Sequence, residues 1–106
     1  MKLRPNQTAL LTGASGGLGT YIARALAAYG INQALVAFPG KDLPPLKEEL
    51  EKNGINAYYL VADLRLKEER QRIVDEVCKT FGQIDILINN AGVEFTAPYH
   101  ALSEDD

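Results

Sequence analysis

A glycine-rich stretch at residues 12–19 (TGASGGLG) holds four glycines in eight positions, directly behind a short apolar run. Where such a turn joins a strand to a helix, unpaired N–H groups and the positive end of the helix dipole attract phosphate. Gly13 would make the tight turn, Gly17 would let the backbone approach a pyrophosphate, and Gly19 would let the helix pack tightly on the strand. The spacing is T-G-x-x-x-G-x-G rather than the G-x-G-x-x-G dinucleotide pattern, and a purely structural turn is the alternative.

Two other clusters that contain polar residues follow apolar runs farther along the chain. Asp63 and Leu64 come after one run, and Asp63 taken alone indicates a helix N-cap or a solvated carboxylate. Residues 89–92 (NNAG) come after another run, and alone they are typical of a simple turn. Neither cluster by itself indicates a ligand.

Alternating strands and helices must position these residues. Apolar runs predict the strands, and apolar residues spaced three and four apart between them predict the helices. The strands are expected over residues 8–11, 34–38, 57–61 and 84–88, and the helices over residues 18–29, 43–52 and 67–81. Gly30, Gly54 and Gly82 are placed to end the three helices.

This β-α-β-α-β-α-β order predicts an α/β fold, a doubly wound and Rossmann-like parallel sheet of four strands in the order 3-2-1-4. The chain is short enough to form one domain over residues 1–106. In such sheets a ligand binds outside the carboxyl ends of the strands, where the strand order reverses. The glycine-rich stretch follows the first strand and therefore lies at that point.

Composition narrows the classes of function. The net charge of −3, with Lys and Arg scattered along the chain, argues against nucleic acid as a partner. No apolar stretch is long enough for a signal peptide or a membrane span, so no membrane partner is expected. Cys78 is the only cysteine, which excludes an internal disulfide and a cysteine metal cluster and suits the cytoplasm. Cys78 is predicted to be a small core residue, and His100 to have a surface or packing role.

Together, the three motifs resemble those of the short-chain dehydrogenases/reductases. They stand in the family's order along the chain, and the resemblance runs from about Gln7 to the last residue. It covers only the amino-terminal half of the family's length. It implies an oxidoreductase that transfers hydride between NAD or NADP and a carbonyl or alcohol substrate. Residues 1–106 would then be a single dinucleotide-binding domain, incomplete at its carboxyl end.

The resemblance also implies which residues contact the cofactor. They are Gly13, Ser15, Gly17, Leu18, Gly19, Asp63, Leu64, Asn90, Ala91 and Gly92. Those of the glycine-rich stretch would lie beneath the pyrophosphate, with Ser15 adding a hydroxyl contact. Asp63 would accept a hydrogen bond from the adenine amino group, residues 90–92 would line the ribose, and Asn89 would tie adjacent strands together.

The choice between NAD and NADP is open. About 20 positions past the glycine turn, an acidic residue usually holds the ribose 2′-hydroxyl of NAD, or an Arg meets the 2′-phosphate of NADP. Here that neighbourhood is Phe38, Pro39 and Gly40. Phe38 is expected to stack against adenine. Lys41 is close enough in sequence to reach a phosphate, which gives NADP a small advantage.

The catalytic residues of the resembled family are missing from the chain. The family uses a Tyr-x-x-x-Lys pair, in which Lys lowers the pKa of the Tyr that exchanges the proton, and an upstream Ser. The residues four positions after the five tyrosines are Ala25, Gln33, Ala62, Asp63 and Ser103. No catalytic residue is therefore assigned, no metal site is expected, and the isolated chain is expected to be inactive.

The last residues and the fourth strand leave alternatives open. Residues 103–106 (SEDD) are typical of a helix start, and strand 84–88 (IDILI) would present an unpaired apolar edge. The chain is thus expected to be a piece of a longer dehydrogenase or a homo-oligomer that pairs through this edge. The alternative functions are a stand-alone nucleotide-binding or redox-sensing module, or an assembly fragment that binds no cofactor.

Overall fold

Strands and helices alternate along the chain as the apolar pattern predicts. The computed structural model describes residues 3–40 and 44–90. The elements are β1 (Thr8–Thr12), α1 (Gly17–Ala27), β2 (Asn32–Ala37), α2 (Pro44–Lys52), β3 (Ala57–Val61), α3 (Lys67–Phe81) and β4 (Ile86–Asn89). The predictions for Lys41, Ala91, Gly92, His100 and residues 103–106 lie outside the described residues.

The four strands form one parallel sheet in the order β3-β2-β1-β4, which confirms the predicted order. Leu10 of β1 lies opposite Ala34 of β2 on one side and Leu87 of β4 on the other. The strand order reverses at β1, because β2 lies on one side of it and β4 on the other. The carboxyl ends of β1 and β4 therefore flank the position where a doubly wound sheet binds its ligand.

The fourth strand begins later than predicted, at Ile86 instead of residue 84. Asp85 is already engaged with Thr8, since its N–H donates to the Thr8 carbonyl at 2.9 Å and its carboxylate accepts from the Thr8 N–H at 2.8 Å. The regular register with β1 starts one residue on, where Ile86 lies opposite Ala9.

Helices pack on both faces of the sheet, which is why the inner strands are apolar without alternation. One core lies between the sheet and α1 and α2, and includes Leu11, Ala23, Leu35, Leu46 and Leu50. The other lies between the sheet and α3, and includes Leu10, Val36, Leu60, Ile73 and Val77. No helix within the described residues combines the length and apolar character needed to cross a lipid bilayer.

The burial predicted for Cys78 in α3 is wrong. Ile73 and Val77 are buried, whereas Val74 and Cys78 are exposed. Each exposed residue follows a buried one directly, and one position on a helix turns the side chain by about 100° away from the sheet. Cys78 is therefore a surface thiol and not a core residue. Gly82 ends α3 as predicted, in the left-handed conformation with a φ of 82°.

Candidate functional site

A residue of the candidate site follows the carboxyl end of each of the four strands. Gly13 follows β1 directly, Phe38 follows β2 directly, and Asn90 follows β4 directly, while Asp63 lies two residues beyond β3. Because the strands are parallel, their carboxyl ends meet at one edge. The sheet thus brings together residues that are widely separated in the sequence.

The carbonyl of Gly13 is the centre of the glycine turn. Gly13 itself has a φ of 66°, in the left-handed region that glycine adopts without strain. Its carbonyl oxygen accepts a hydrogen bond from the Gly16 N–H at 3.3 Å and another from Asn90 Nδ2 at 3.1 Å. A Cβ atom on Gly19 would lie 2.1 Å from the same oxygen. Gly19 therefore permits the close packing expected of it, although α1 packs here against the turn.

The first turn of α1 offers free hydrogen-bond donors. Within residues 3–40 and 44–90, no acceptor is found for the N–H groups of Gly17, Leu18 and Gly19. The N-cap residue, Gly16, supplies no side-chain hydrogen bond, and no acidic residue lies in this turn. A Cβ atom on Gly17 would meet nothing within 4 Å. Free donors, the positive helix end and open space together fit the phosphate oxygens of a dinucleotide.

The turn is fixed in place by its neighbours. The Ala14 N–H donates to the Val36 carbonyl of β2 at 3.2 Å, and the Thr20 hydroxyl donates to the Ala14 carbonyl at 3.3 Å. Such bonds hold the donors of α1 in position before any ligand arrives, so that binding has less ordering to impose. Ser15 and Leu18 lie in the same segment, where Ser15 is half-buried and Leu18 is exposed.

The two asparagines at the end of β4 have different contacts. Asn89 accepts a hydrogen bond from the Thr12 hydroxyl at 3.1 Å and so ties β4 to β1, as expected. Asn90 is buried and donates to Gly13, 77 positions earlier in the chain. Sequence reasoning did not anticipate that Asn90 supports the glycine turn, because no local pattern connects residues so far apart.

Asp63 is neither a helix N-cap nor a freely solvated carboxylate, the two roles that its sequence position indicates when taken alone. The N-cap of α3 is Leu66, and the Asp63 carboxylate is paired and largely shielded from solvent. Asp63 Oδ1 accepts from the Arg65 N–H at 3.0 Å and from Arg65 Nε at 2.9 Å, and Oδ2 accepts from Arg65 Nη2 at 2.8 Å. These hydrogen bonds from Arg65 hold the pKa of Asp63 below its ordinary value.

Arg65 joins two parts of the site. Its guanidinium carbon lies 5.2 Å from the centre of the Phe38 ring, a cation–π contact between the turn after β3 and the end of β2. Sequence reasoning missed Arg65. The Asp-x-Arg spacing hints at the ion pair, but no sequence signal links Arg65 to Phe38. Leu64, between the paired residues, is partly buried against the core beneath α3.

A network of charged side chains holds the turn that carries Asp63. The Asp63 N–H donates to Glu69 Oε1 at 3.4 Å, and the other oxygen of Glu69 accepts from Arg72 Nε at 3.0 Å. Arg72 also donates to the Val61 carbonyl at the end of β3, at 2.7 Å. The start of α3 is thus bonded to the end of β3, which fixes the Asp63 backbone beside the sheet.

Comparison with known proteins agrees with this geometry. The family model for short chain dehydrogenases matches residues 7–106. The (S)-acetoin-forming diacetyl reductase of Staphylococcus epidermidis (strain ATCC 12228 / FDA PCI 1200) is 35% identical over 101 residues, covering 95% of this chain and 39% of that protein. The chain therefore spans about two fifths of the length of this curated relative.

Solved structures with the same fold include cofactor complexes. A metagenomic short-chain oxidoreductase in complex with NADP has a TM-score of 0.78 and 33% identity, covering 94% of this chain and 46% of that one. An NAD⁺-bound xylitol dehydrogenase has a TM-score of 0.75 and 31% identity, covering 81% of this chain and 33% of that one. Both cofactors thus occur among the similar structures.

Proposed function

Since the chain belongs to the short-chain dehydrogenase/reductase family, we propose that it forms the cofactor-binding part of an NAD(P)-dependent oxidoreductase. The reaction class is hydride transfer between the nicotinamide ring and a carbonyl or alcohol. The observation that carries the proposal is the cradle, defined as the free N–H groups of Gly17, Leu18 and Gly19 with the open space above Gly17. A cytoplasmic location is part of the same proposal.

The cradle would hold the pyrophosphate. Its N–H groups would donate to phosphate oxygens, and the positive end of the α1 dipole would favour the negative charge. Asn90 and Gly13 would support the cradle indirectly, because the hydrogen bond between them fixes the turn from which the donors project. The Ser15 hydroxyl would add one more donor, and the exposed side chain of Leu18 would cover apolar parts of the cofactor.

Asp63 and Phe38 would hold the adenosine end. An ionised carboxylate has about four acceptor sites, of which Arg65 occupies three on Asp63. Acceptor capacity remains on Oδ2, so the adenine amino group can share the carboxylate with Arg65. Leu64 would contribute main-chain contacts, since its side chain faces the core. Residues 90–92 would line the ribose, as the resemblance implies.

The bound cofactor would supply or accept the hydride, while these residues bind and orient it. The 106 residues contain no Tyr-x-x-x-Lys pair, so no group within them is assigned to exchange the substrate proton. We therefore expect the chain, assayed by itself, to bind the cofactor without turning over a carbonyl substrate.

Binding can be tested directly with the reduced cofactors. NADH and NADPH are titrated into the purified chain, and binding is followed by calorimetry and by nucleotide fluorescence. We expect saturable binding at one site per chain. A chain that shows a folded circular dichroism spectrum but binds neither nucleotide would contradict the proposal and favour an assembly role.

Self-association is a second candidate, supported by the outer edge of β4. Within the described residues no strand pairs with that edge, and Leu87 of β4 is 50% exposed. Unpaired apolar strand edges tend to pair with another chain. Sedimentation of the wild-type chain and of Leu87→Lys tests this: a dimer that the substitution dissociates supports pairing through β4, and a monomeric wild type contradicts it.

A further inference from the structure

At the adenosine end of the site, the position that usually sets the preference for NAD or NADP holds neither an acidic residue nor an arginine. Phe38 directly follows β2, where an acidic residue would hold the ribose 2′-hydroxyl of NAD. A phenyl ring offers no hydrogen bond to that hydroxyl. The inference below rests on the proposed function, since it concerns the cofactor that the cradle would bind.

The structure brings a cation to this position from another loop. Arg65 lies in the turn between β3 and α3, and its guanidinium carbon is 5.2 Å from the centre of the Phe38 ring. The guanidinium therefore lies beside the residue at which the ribose is read. A planar guanidinium can stack on an aromatic ring and bind phosphate through two parallel N–H groups, whereas an ammonium is a point charge without this planar pair of donors.

Arg65 is oriented and still has donors to spare. Its Nε and Nη2 donate to the two oxygens of Asp63, whereas Nη1 has no acceptor within residues 3–40 and 44–90. The Arg65 side chain is 68% exposed and that of Asp63 is 19% exposed. The carboxylate thus lies inward as an anchor, and the positive end of the pair is presented to solvent.

We propose that Arg65 recognises the 2′-phosphate of the adenosine ribose, so that the site prefers NADP to NAD. In this arrangement Phe38 is the platform on which the guanidinium lies, and Asp63 is the anchor that sets its direction. The proposal assigns the preference to Arg65 and not to Lys41, the nearest cation to Phe38 along the sequence.

Two adenosine nucleotides test this without any turnover. Adenosine 2′,5′-bisphosphate carries the extra phosphate and adenosine 5′-monophosphate does not, and neither has a nicotinamide ring. Calorimetry at fixed ionic strength is expected to give tighter binding of the bisphosphate to the wild-type chain. Arg65→Gln should weaken the bisphosphate by about 10- to 100-fold, the usual effect of removing a charged hydrogen-bond partner, and change the monophosphate much less.

Companion variants separate charge from geometry. Arg65→Lys keeps the positive charge but not the planar fork, so it should retain only part of the preference. Phe38→Leu should also lose part of it, because the platform is gone. Arg4→Gln removes an exposed positive charge near the amino end of β1, at the opposite edge of the sheet, and should leave both affinities unchanged.

Each result decides between the possibilities. Unchanged preference in Arg65→Gln, or its loss in Lys41→Gln instead, would overturn the assignment to Arg65 while leaving cofactor binding in place. Binding of neither nucleotide to the folded wild-type chain would overturn the proposed function together with this inference. Circular dichroism tests whether each variant is folded. If Arg65→Gln is unfolded, Arg65→Lys takes its place in the comparison.

Discussion

Alanine at Gly17 and at Gly19 should have opposite effects, although the two glycines are neighbours in the first turn of α1. A Cβ atom on Gly17 would meet nothing within 4 Å, and Gly17 does not have a positive φ. Alanine fits such a helical position and restricts the unfolded chain. Gly17→Ala should therefore raise the free energy of unfolding by about 0.4–1 kcal/mol.

The same methyl group should impair cofactor binding. It would project into the open space over the cradle, where the pyrophosphate must approach the N–H groups of α1. We expect Gly17→Ala to weaken NADPH binding by about tenfold or more, which corresponds to about 1.4 kcal/mol. A more stable protein that binds less tightly identifies a residue kept for a ligand.

Gly19→Ala should instead destabilise the fold. Its Cβ atom would lie 2.1 Å from the Gly13 carbonyl oxygen and 2.8 Å from Ala14 Cα, and both of these are backbone atoms that no side-chain rotation can move. Overpacking of this kind costs about 3 kcal/mol, and the better helix propensity of alanine returns about 1 kcal/mol. The expected net loss in the free energy of unfolding is about 2 kcal/mol.

Urea denaturation followed by circular dichroism measures both free energies, and calorimetry with NADPH measures the affinities. Wild-type affinity in Gly17→Ala would refute the role given to the cradle. Wild-type stability in Gly19→Ala would refute the close contact between α1 and the Gly13 turn. Both variants add one methyl group to the wild-type chain, so each is the matched control for the other.

Three further predictions concern other residues of the site and of α3. Asn90→Ala removes the hydrogen bond to the Gly13 carbonyl and should lower the free energy of unfolding by about 1 kcal/mol in urea denaturation and weaken NADPH binding. Arg65 lowers the pKa of Asp63, so the stability from this pair is present above the unfolded-state pKa and lost as pH falls through the folded-state pKa. Arg65→Gln should raise the Asp63 pKa in a carboxyl NMR titration, and an unchanged value would contradict the ion pair. Cys78 is exposed and should react with a thiol reagent in the native chain as fast as in the unfolded chain, whereas protection would place it in the core.

The order of elements and of strands could be predicted because it depends on local pattern. Apolar runs without alternation at Ala34–Ala37 and periodic apolar residues in α3 are visible in the sequence, and Gly82 marks where α3 ends. The glycine turn was likewise predictable, since the spacing of its glycines depends on close backbone contacts within residues 13–19, a single short segment. Burial at Cys78 was not, because one helical position separates a buried residue from an exposed one.

The contacts across the site could not be predicted, because they join loops that only the folded sheet brings together. The bond from Asn90 to Gly13 spans 77 positions. The position of Arg65 over Phe38 depends on the neighbouring pairing of β2 and β3, and on how the turn after β3 is held. Sequence spacing points to Lys41 as the cation nearest Phe38, whereas the sheet supplies Arg65.

Chemical shifts of the backbone amides test the central claim most directly. An NADPH titration of the ¹⁵N-labelled chain follows the N–H groups of Gly17, Leu18 and Gly19 individually. We expect these three signals to shift together and to saturate with the dissociation constant that calorimetry gives, because free donors gain phosphate acceptors on binding. Signals that stay in place while NADPH binds, or shifts confined to residues away from the glycine turn, would contradict a phosphate-binding cradle at the start of α1.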